Sequence, residues 1–467
     1  MFTTRLQSLR IKNIKNVENG FITMPNFYNK EVSSKNAEIL GLYGQNGSGK
    51  TTVVDVMHFL QGLMMGLPLE RDFSEYIMFD KYSAEIEAEF YVFQDNKIKF
   101  DIIYSIQFSR IDGNKVIIEK EQISAAKYID DVKGRQNVFI RSENGDYETI
   151  FEPKKNLQKL LSAFEDDNVI TTDLIVAKKI AEKSKTSYIF NDNFVDVCRR
   201  SKKSAFTEYF MIIMCLYNYA HRDLFVIRND HSGVISANFV LPMAFRVNGK
   251  ESSAKGDFAV SLRDATVINS DMLNILNQIV SDINSVLSTI IPNMKLDIKN
   301  YGSQLLDNGS EGFRIEVVSV RNDVILPIRV ESDGIIKIIS ILEALICAFG
   351  SSSICLVIDE LDSGIYEYIL GEILVVFAEH AKGQLIFTSH NLRPLEMLDK
   401  SNIVFSTANS KERYIRMSNV KQSNNLRNVY LRSVLLGGQN EPLYEETSSL
   451  KMAQAFRMAG KRAYGNN

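Results

Sequence analysis

The chain has 467 residues, enough for two or three domains at roughly 100 to 200 residues each. Hydrophobic residues make up 45% and charged residues 24%, which excludes a disordered or collagen-like chain. The formal net charge of -3 argues against a protein whose whole surface binds nucleic acid.

Membrane and disulfide-rich classes are also disfavoured. No apolar run reaches the roughly 18 residues that a membrane-spanning helix needs. The first residues carry charges where a signal peptide needs an apolar stretch. The four cysteines lack CxxC spacing, so we expect neither disulfides nor a structural zinc site. We therefore expect a cytoplasmic protein with no membrane partner.

Apolar periodicity predicts the elements in chain order. Residues 6–21 and 38–43 read as strands, and the strict alternation of residues 83–125 predicts an antiparallel sheet with one wet face. Residues 156–220 have a helical pattern that places Ile180 on the apolar face. Residues 271–291 predict a helix of about five turns that ends at Pro292. Its heptads are too few for a long coiled-coil arm.

A phosphate-binding loop follows the strand at 38–43. Residues 44–51 read GQNGSGKT, which fits the pattern GxxxxGK[ST], and a helix-compatible stretch follows. Glycines let successive backbone N–H groups wrap an anion, while Lys50 would reach the β- and γ-phosphates and Thr51 would ligate Mg²⁺. The sequence therefore predicts an ATP site made of Gly44, Gln45, Asn46, Gly47, Ser48, Gly49, Lys50, Thr51 and Thr52.

Two acids follow a second buried strand. Residues 354–358 are apolar and lead directly into Asp359 and Glu360, the pattern of a central strand that delivers carboxylates at its end. Asp359 would hold the magnesium shell. Glu360 would orient or deprotonate the attacking water.

These motifs belong to an ordered series. Ser332 and Gly334 precede the acid pair at the start of a helical run, Asp362 follows it, and His390 ends another buried strand. The order resembles that of the ABC-type ATPases: Walker A, signature, Walker B, D-loop and H-loop. The resemblance implies that Ser332 and Gly334 approach the γ-phosphate bound to a second subunit. By the same resemblance, Asp362 couples the two sites and His390 contacts the γ-phosphate of its own site. The signature departs from the transporter sequence LSGGQ, and no glutamine is assigned to the Q-loop.

Local runs favour one branch of this group. Residues 8–16, 117–121, 388–396 and 424–430 resemble the OLD-like, AbiL/RloA-type ATPases of bacterial phage-defence operons. The resemblance implies an ATPase that controls a separate effector, such as a TOPRIM-type nuclease, because the residues after His390 contain a single aspartate, Asp399. It also implies a head-to-tail homodimer, with higher assemblies of dimers left open. A DNA-repair ATPase of the RecF or SMC kind, which clamps DNA on ATP binding, is the alternative. A scaffold that binds ATP without turnover is disfavoured by Glu360.

We expect an α/β fold built as an ABC-type P-loop ATPase lobe with an antiparallel β subdomain and an inserted helical subdomain. Residues 1–150 and 293–415 would form the lobe, residues 151–292 the helical insert, and residues 416–467 a basic tail. Net positive charge is concentrated after His390. DNA or an acidic effector could be contacted by the cluster at 199–203 or by the tail residues, although solvated faces explain the same pattern. The tail residues in question are Arg427, Arg432, Lys451, Arg457, Lys461 and Arg462. The helix at 448–462 is expected to pack on the core through Leu450, Ala453 and Phe456.

Overall fold

The computed structural model describes residues 2–27, 35–111, 115–201, 204–229, 240–248, 253–262, 264–305, 309, 311–418, 425–445 and 447–464. The strands are β1 (Phe2–Ile14), β2 (Val17–Thr23), β3 (Glu38–Tyr43), β4 (Ser83–Gln94), β5 (Lys97–Ile111), β6 (Lys115–Ile129), β7 (Val132–Lys133), β8 (Asn137–Glu143), β9 (Leu224–Ile227), β10 (Val240–Asn248), β11 (Ser253–Ser261), β12 (Thr266–Asn269), β13 (Met294–Leu305), β14 (Glu311–Arg321), β15 (Val324–Pro327), β16 (Cys355–Ile358), β17 (Gln384–Thr388), β18 (Ile403–Ser406) and β19 (Tyr414–Ile415).

The helices are α1 (Lys50–Met64), α2 (Phe73–Tyr76), α3 (Lys154–Leu161), α4 (Asp167–Ser184), α5 (Asp192–Arg200), α6 (Ser204–Asn218), α7 (Ser270–Ile290), α8 (Asp333–Gly350), α9 (Glu367–His380), α10 (Pro394–Met397), α11 (Leu426–Leu436) and α12 (Ser449–Tyr464). Across the described part of the chain, no helix combines the length and apolar character needed to cross a membrane.

A six-stranded central sheet carries the phosphate loop. Its order is β19-β18-β3-β17-β16-β9, and all neighbours are parallel except β18 and β19. β3 and β16, which precede the two nucleotide motifs, are therefore separated by one strand, β17. Because parallel strands end at the same edge, the segments after all three strands meet there.

The central sheet separates two hydrophobic cores. Leu40 and Leu42 of β3 face the core that contains α1 and the antiparallel sheet. Ile39 of the same strand faces the core that contains α7, α8 and α9. This alternation follows from the two-residue period of a strand, and it explains why β3 is apolar from Ile39 to Tyr43.

The antiparallel sheet is built mainly from the first third of the chain, in the order β2-β1-β4-β5-β6, with β7 and β8 also paired to β6. The predicted sheet at 83–125 is confirmed by β4, β5 and β6. The single strand expected at 6–21 was wrong, because the chain reverses after Ile14 into a hairpin, with Asn13 and Lys15 at positive φ.

Arg5 joins this sheet to the central sheet. Its fully buried guanidinium lies 2.8 Å from the Glu38 carboxylate and donates to the Lys382 carbonyl at 2.9 Å. Gln384 adds a second connection, since its amide pairs with both backbone groups of Leu6. The two sheets are therefore connected by buried hydrogen bonds and an ion pair as well as by apolar packing.

The segment at 151–292 is helical only in part. Helices α3 to α6 span Lys154–Asn218 with short breaks, and α7 confirms the helix predicted at 271–291. Between them the chain returns to the central sheet as β9, forms the β10–β11 hairpin and adds β12 to a four-stranded sheet with β13, β14 and β15. The helical insert predicted at 151–292 therefore contains strands as well as helices. Ile180, expected on the buried face of α4, is 41% exposed.

The tail also departs from expectation. Helix α12 forms where predicted, but Leu450, Ala453 and Phe456 are all exposed, so the expected packing on the core was wrong. Arg427 is paired with Glu396 at 2.8 Å. In the cluster at 199–203, Arg200 is paired with Asp173 and Asp196, and Lys202 and Lys203 lie outside the described residues, as does Asn424.

Candidate nucleotide-binding site

The ends of β3, β16 and β17 border an open cleft of about 730 Å³. Its lining combines backbone and hydroxyl donors with two cations and one carboxylate. The lining residues are Lys15, Asn16, Asn46, Gly47, Gly49, Lys50, Thr51, Thr52, Glu360, Thr388 and His390. Such a donor set suits a polyanion accompanied by a divalent cation.

The phosphate loop depends on glycine at defined positions. Gly47 and Gly49 have φ values of 76° and 91°, a left-handed conformation that glycine adopts without a steric penalty. A Cβ at Gly44 would lie 2.0 Å from Oγ of Ser406. Gly49 leads directly into α1, whose N-terminus begins at Lys50 and therefore lies at the cleft. Partial positive charge at that helix end favours an anion.

Lys50 holds the loop in shape. Its ammonium group donates to the carbonyls of Gly44 at 2.9 Å and Gln45 at 3.0 Å. Burial lowers the pKa of Lys50, and the negative charges of Asp359 and Glu360 oppose that shift. A bound phosphate would stabilise the charged form in the same way.

Thr388 connects the two acids. Its hydroxyl donates to Oδ1 of Asp359 at 2.6 Å and accepts from the backbone N–H of Glu360 at 2.7 Å. Asp359 also accepts from the Thr51 hydroxyl at 3.4 Å. The end of β17 therefore fixes the orientation of the carboxylates at the end of β16.

Glu360 has an unusual backbone. Its φ of 47° places it in the left-handed region, which a residue with a Cβ occupies at a cost of about 1 to 3 kcal/mol. Asp359 is buried, whereas Glu360 lies at the cleft surface. The left-handed turn thus separates the two neighbouring carboxylates: one lies inside the fold and the other borders the cleft.

Asp362 fixes the segment that carries His390. Its Oδ2 accepts from the backbone N–H groups of His390 at 3.1 Å and Asn391 at 2.9 Å. Burial lowers the pKa of His390, and the charge of Lys50 lowers it further. A neutral imidazole can both donate and accept a hydrogen bond.

The Ser332–Gly334 motif lies elsewhere on the surface. Ser332 is exposed and caps α8, its hydroxyl accepting from the N–H of Ile335 at 3.4 Å. Neither Ser332 nor Gly334 is among the described residues that line the cleft. One turn further along α8, Lys337 is buried near the Walker B carboxylates: burial lowers its pKa, while Asp359 and other acids oppose that shift.

Six of the nine predicted phosphate-loop residues line the cleft, and the other three support the loop. The Gly44 carbonyl accepts from Lys50, the Ser48 hydroxyl donates to the Gln45 carbonyl at 2.6 Å, and the Gln45 side chain accepts from the N–H of Glu445.

Sequence reasoning missed Lys15, Asn16 and Thr388. Asn16 reaches the Gly47 carbonyl from the β1–β2 turn, a contact that no local motif reveals. Thr388 immediately precedes Ser389 and His390 in the H-loop run, which was the available signal.

The fold and the position of the motifs define an α/β P-loop lobe: a P-loop after β3, an acid pair after β16, β17 between them, and a side sheet of antiparallel strands. The predicted fold class is confirmed in this respect. An ATP-binding ATPase is the class of protein that this arrangement supports.

One family model matches part of the chain. Residues 238–396 match a family described as "AAA domain, putative AbiEii toxin, Type IV TA system". No curated protein matches the chain by sequence.

Several solved structures are similar to the chain at low identity. The Smc head domain of Pyrococcus furiosus, solved with the C-terminal domain of ScpA, has 10% identity and a TM-score of 0.39, with 89% of this chain and 96% of that chain covered. The SMC head domain of Thermotoga maritima has 12% identity and a TM-score of 0.36, with 89% and 99% covered. The recombination mediator protein RecF with ATP has 14% identity and a TM-score of 0.32, with 83% and 94% covered.

Proposed function

We propose that the protein hydrolyses ATP as a head-to-tail homodimer in which each ATP is held between the phosphate loop of one copy and the signature motif of the other. The observation that carries this proposal is the separation of the two motifs within one chain. Lys50 and Glu360 border the cleft, whereas Ser332 is exposed and lies outside its lining. A second copy can supply the missing half, because the N-terminus of α8 would then face the γ-phosphate.

Mg²⁺ fits two neighbouring oxygen ligands, one that lines the cleft and one buried just behind it. The Thr51 hydroxyl and the Asp359 carboxylate are 3.4 Å apart, and both are hard ligands of the kind that magnesium prefers. When bound, the ion would neutralise charge on the β- and γ-phosphates. Asp359 would hold it while Thr388 keeps that carboxylate oriented.

Three other side chains at the cleft would take part in ATP hydrolysis. Glu360 borders the cleft as a carboxylate, and it would orient a water molecule and accept its proton. Lys50 would stabilise charge on the transferred phosphoryl group, and the neutral imidazole of His390 would hydrogen-bond to it. Asp362 positions His390 through two backbone hydrogen bonds.

We further propose that ATP binding and hydrolysis switch the dimer between states that control a separate effector, such as a TOPRIM-type nuclease, in bacterial anti-phage defence. The match of residues 238–396 to a family whose description includes a type IV toxin–antitoxin system supports this role. ATP that binds more tightly to the closed dimer shifts the population of protein toward that dimer. Hydrolysis of the ATP then lets the dimer open.

The dimer is tested by sedimentation velocity with Mg²⁺ and a non-hydrolysable ATP analogue. The protein should sediment as a dimer with the analogue and as a smaller species without it; no change on adding the analogue would contradict the proposal.

The cellular role is tested by expressing the protein together with the products of the neighbouring genes. Co-purification of a nuclease, or ATPase-dependent toxicity, supports defence. Salt-dependent binding of duplex DNA that stimulates hydrolysis would instead favour a DNA clamp.

A further inference from the structure

Two apolar patches are exposed beside the two halves of the proposed composite site. The cleft-side patch consists of Phe79, 98% exposed, and Tyr82, 82% exposed. The signature-side patch consists of Val324, Ile325, Leu326 and Val330, of which Ile325 is 61% and Val330 59% exposed. Large apolar side chains grouped on a surface mark an interaction site more often than single ones do.

The cleft-side patch is attached to the turn that borders the cleft. The N–H of Met78 donates to the carbonyl of Asn13 at 2.9 Å, and Lys81 pairs with Glu18 at 3.4 Å. Two residues before Met78, the carbonyl of Tyr76 accepts from the N–H of Lys15 at 2.7 Å. Lys15 itself lines the cleft, so the segment that leads into the patch is paired with a turn that borders the cleft.

The signature-side patch leads directly into Ser332. Strand β15 is paired with β14 only, among the described strands, so its other edge is open. After β15, the buried Ile328 anchors a short turn, and Glu331 accepts from the Ser319 hydroxyl at 2.6 Å. This anchoring holds Val330 and the strand edge next to the exposed N-terminus of α8.

We propose that the cleft-side patch of one copy packs against the signature-side patch of the other copy when ATP closes the dimer. The inference rests on the proposed head-to-tail dimer, since only that arrangement brings a phosphate loop to a partner's signature motif. The two-fold symmetry of such a dimer makes the contact occur twice.

The area that a stable dimer needs supports this pairing. Stable interfaces bury about 800 Å² on each partner, with an apolar and often aromatic centre. The nucleotide motifs supply little of this, because they consist of glycines, short hydroxyl side chains and charged groups. Phe79 and Tyr82 can each bury about 150 to 250 Å². The open edge of β15 provides an apolar surface of matching character at the opposite half-site.

The experiment measures dimerisation by sedimentation velocity with Mg²⁺ and the non-hydrolysable ATP analogue. Phe79→Asp and Ile325→Asp should each raise the dissociation constant of the dimer about tenfold or more. Binding of a fluorescent ATP analogue to the monomer should remain as in the wild type. Val132→Asp is the matched control, because Val132 is 68% exposed but lies at the β6–β7 hairpin. That control should leave the dissociation constant unchanged.

A charge-pair rescue tests direct contact. Ile325→Lys alone should weaken the dimer, and its combination with Phe79→Asp should recover part of the lost affinity. If the wild type dimerises and both aspartate variants dimerise equally well, the proposed pairing of the patches is overturned and the proposed function is not. A wild-type protein that stays monomeric would overturn the proposed function and the pairing together. Variants that dimerise normally but lose co-purification of an effector would assign the patches to that effector and overturn the pairing.

Discussion

Gly334 in the signature motif lies so close to Gly364 in the D-loop that a Cβ at position 334 would be 1.9 Å from the Gly364 carbonyl oxygen. The D-loop also contains Asp362, which holds the backbone of His390. The surface proposed to meet the partner's nucleotide is therefore in direct contact, within one chain, with the segment that positions a residue at its own nucleotide. In the proposed dimer, such contact would let closure at one site affect the geometry of the other.

Gly334→Ala should disrupt this contact. The added methyl group forces the start of α8 away from the D-loop, and overpacking of this kind costs about 1 to 3 kcal/mol of unfolding free energy. ATP turnover should fall further than stability alone explains, because the D-loop positions His390. Turnover and thermal unfolding are measured on the same preparation. Gly350→Ala, at the other end of α8, is the control, since its Cβ would meet no atom within 4 Å. Equal turnover in the two variants would count against the contact.

Glu360→Gln should abolish hydrolysis while preserving ATP binding. The amide cannot accept the proton of the attacking water, and loss of a general base reduces turnover by about 10² to 10⁴-fold. ATP should remain trapped and the dimer should persist with ATP itself. Turnover and sedimentation in ATP are the measurements. Glu367→Gln changes an exposed acid at the start of α9 and should have no effect. Unchanged turnover in Glu360→Gln would refute the assignment of Glu360.

Ser332→Arg should separate binding from closure. ATP binding to the monomer survives because Ser332 does not line the cleft, whereas the large cation at the start of α8 blocks approach of the second copy. Dimer formation and hydrolysis should both fail. Ser332→Ala removes the helix cap, at a cost of about 0.5 to 2 kcal/mol, without adding bulk, and it should retain dimerisation. Normal turnover in Ser332→Arg would be incompatible with a composite site.

Arg5→Leu should destabilise the protein strongly. It leaves the buried Glu38 carboxylate without its cation, and breaking a buried pair in this way costs about 3 to 5 kcal/mol. Lys12 lies on the same strand as Arg5, and Lys12→Leu breaks only its partly exposed pair with Glu85 of β4, so it should cost at most about 1 kcal/mol. Urea unfolding of both variants measures the difference. Similar midpoints would show that Arg5 does not hold the two sheets together.

Motifs that are contiguous in sequence could be predicted, because the residues that determine the local backbone are the same ones that would contact the ligand. The phosphate loop and the Asp359–Glu360 pair follow this rule. Thr388 could not be assigned its role, since its contact with Asp359 depends on β17 lying next to β16 in the sheet. Lys15 and Asn16 reach the cleft because β1 reverses into β2, whereas continuous alternation suggested a single strand.

Short elements and exposed faces account for the remaining differences. Strand β9 has only four residues and follows a helix, so its apolar run was indistinguishable from a helical one. Arg5 occupies a strand whose alternation gives no sign of a buried cation. Helix α12 has apolar residues that predicted packing on the core, yet amphipathicity alone does not say which surface a helix meets.

The composite site is tested most directly by mixing two inactive variants. Lys50→Ala removes nucleotide binding but leaves the signature motif intact, whereas Ser332→Arg keeps the phosphate loop and loses the signature motif. In a mixed dimer, one of the two sites combines the intact halves. Neither variant assembles a closed dimer by itself, so mixed dimers with one complete site of two carry the activity. The account predicts that an equimolar mixture recovers ATP turnover up to about one half of the wild-type rate, although each variant alone is inactive. A mixture no more active than its separate components would contradict it.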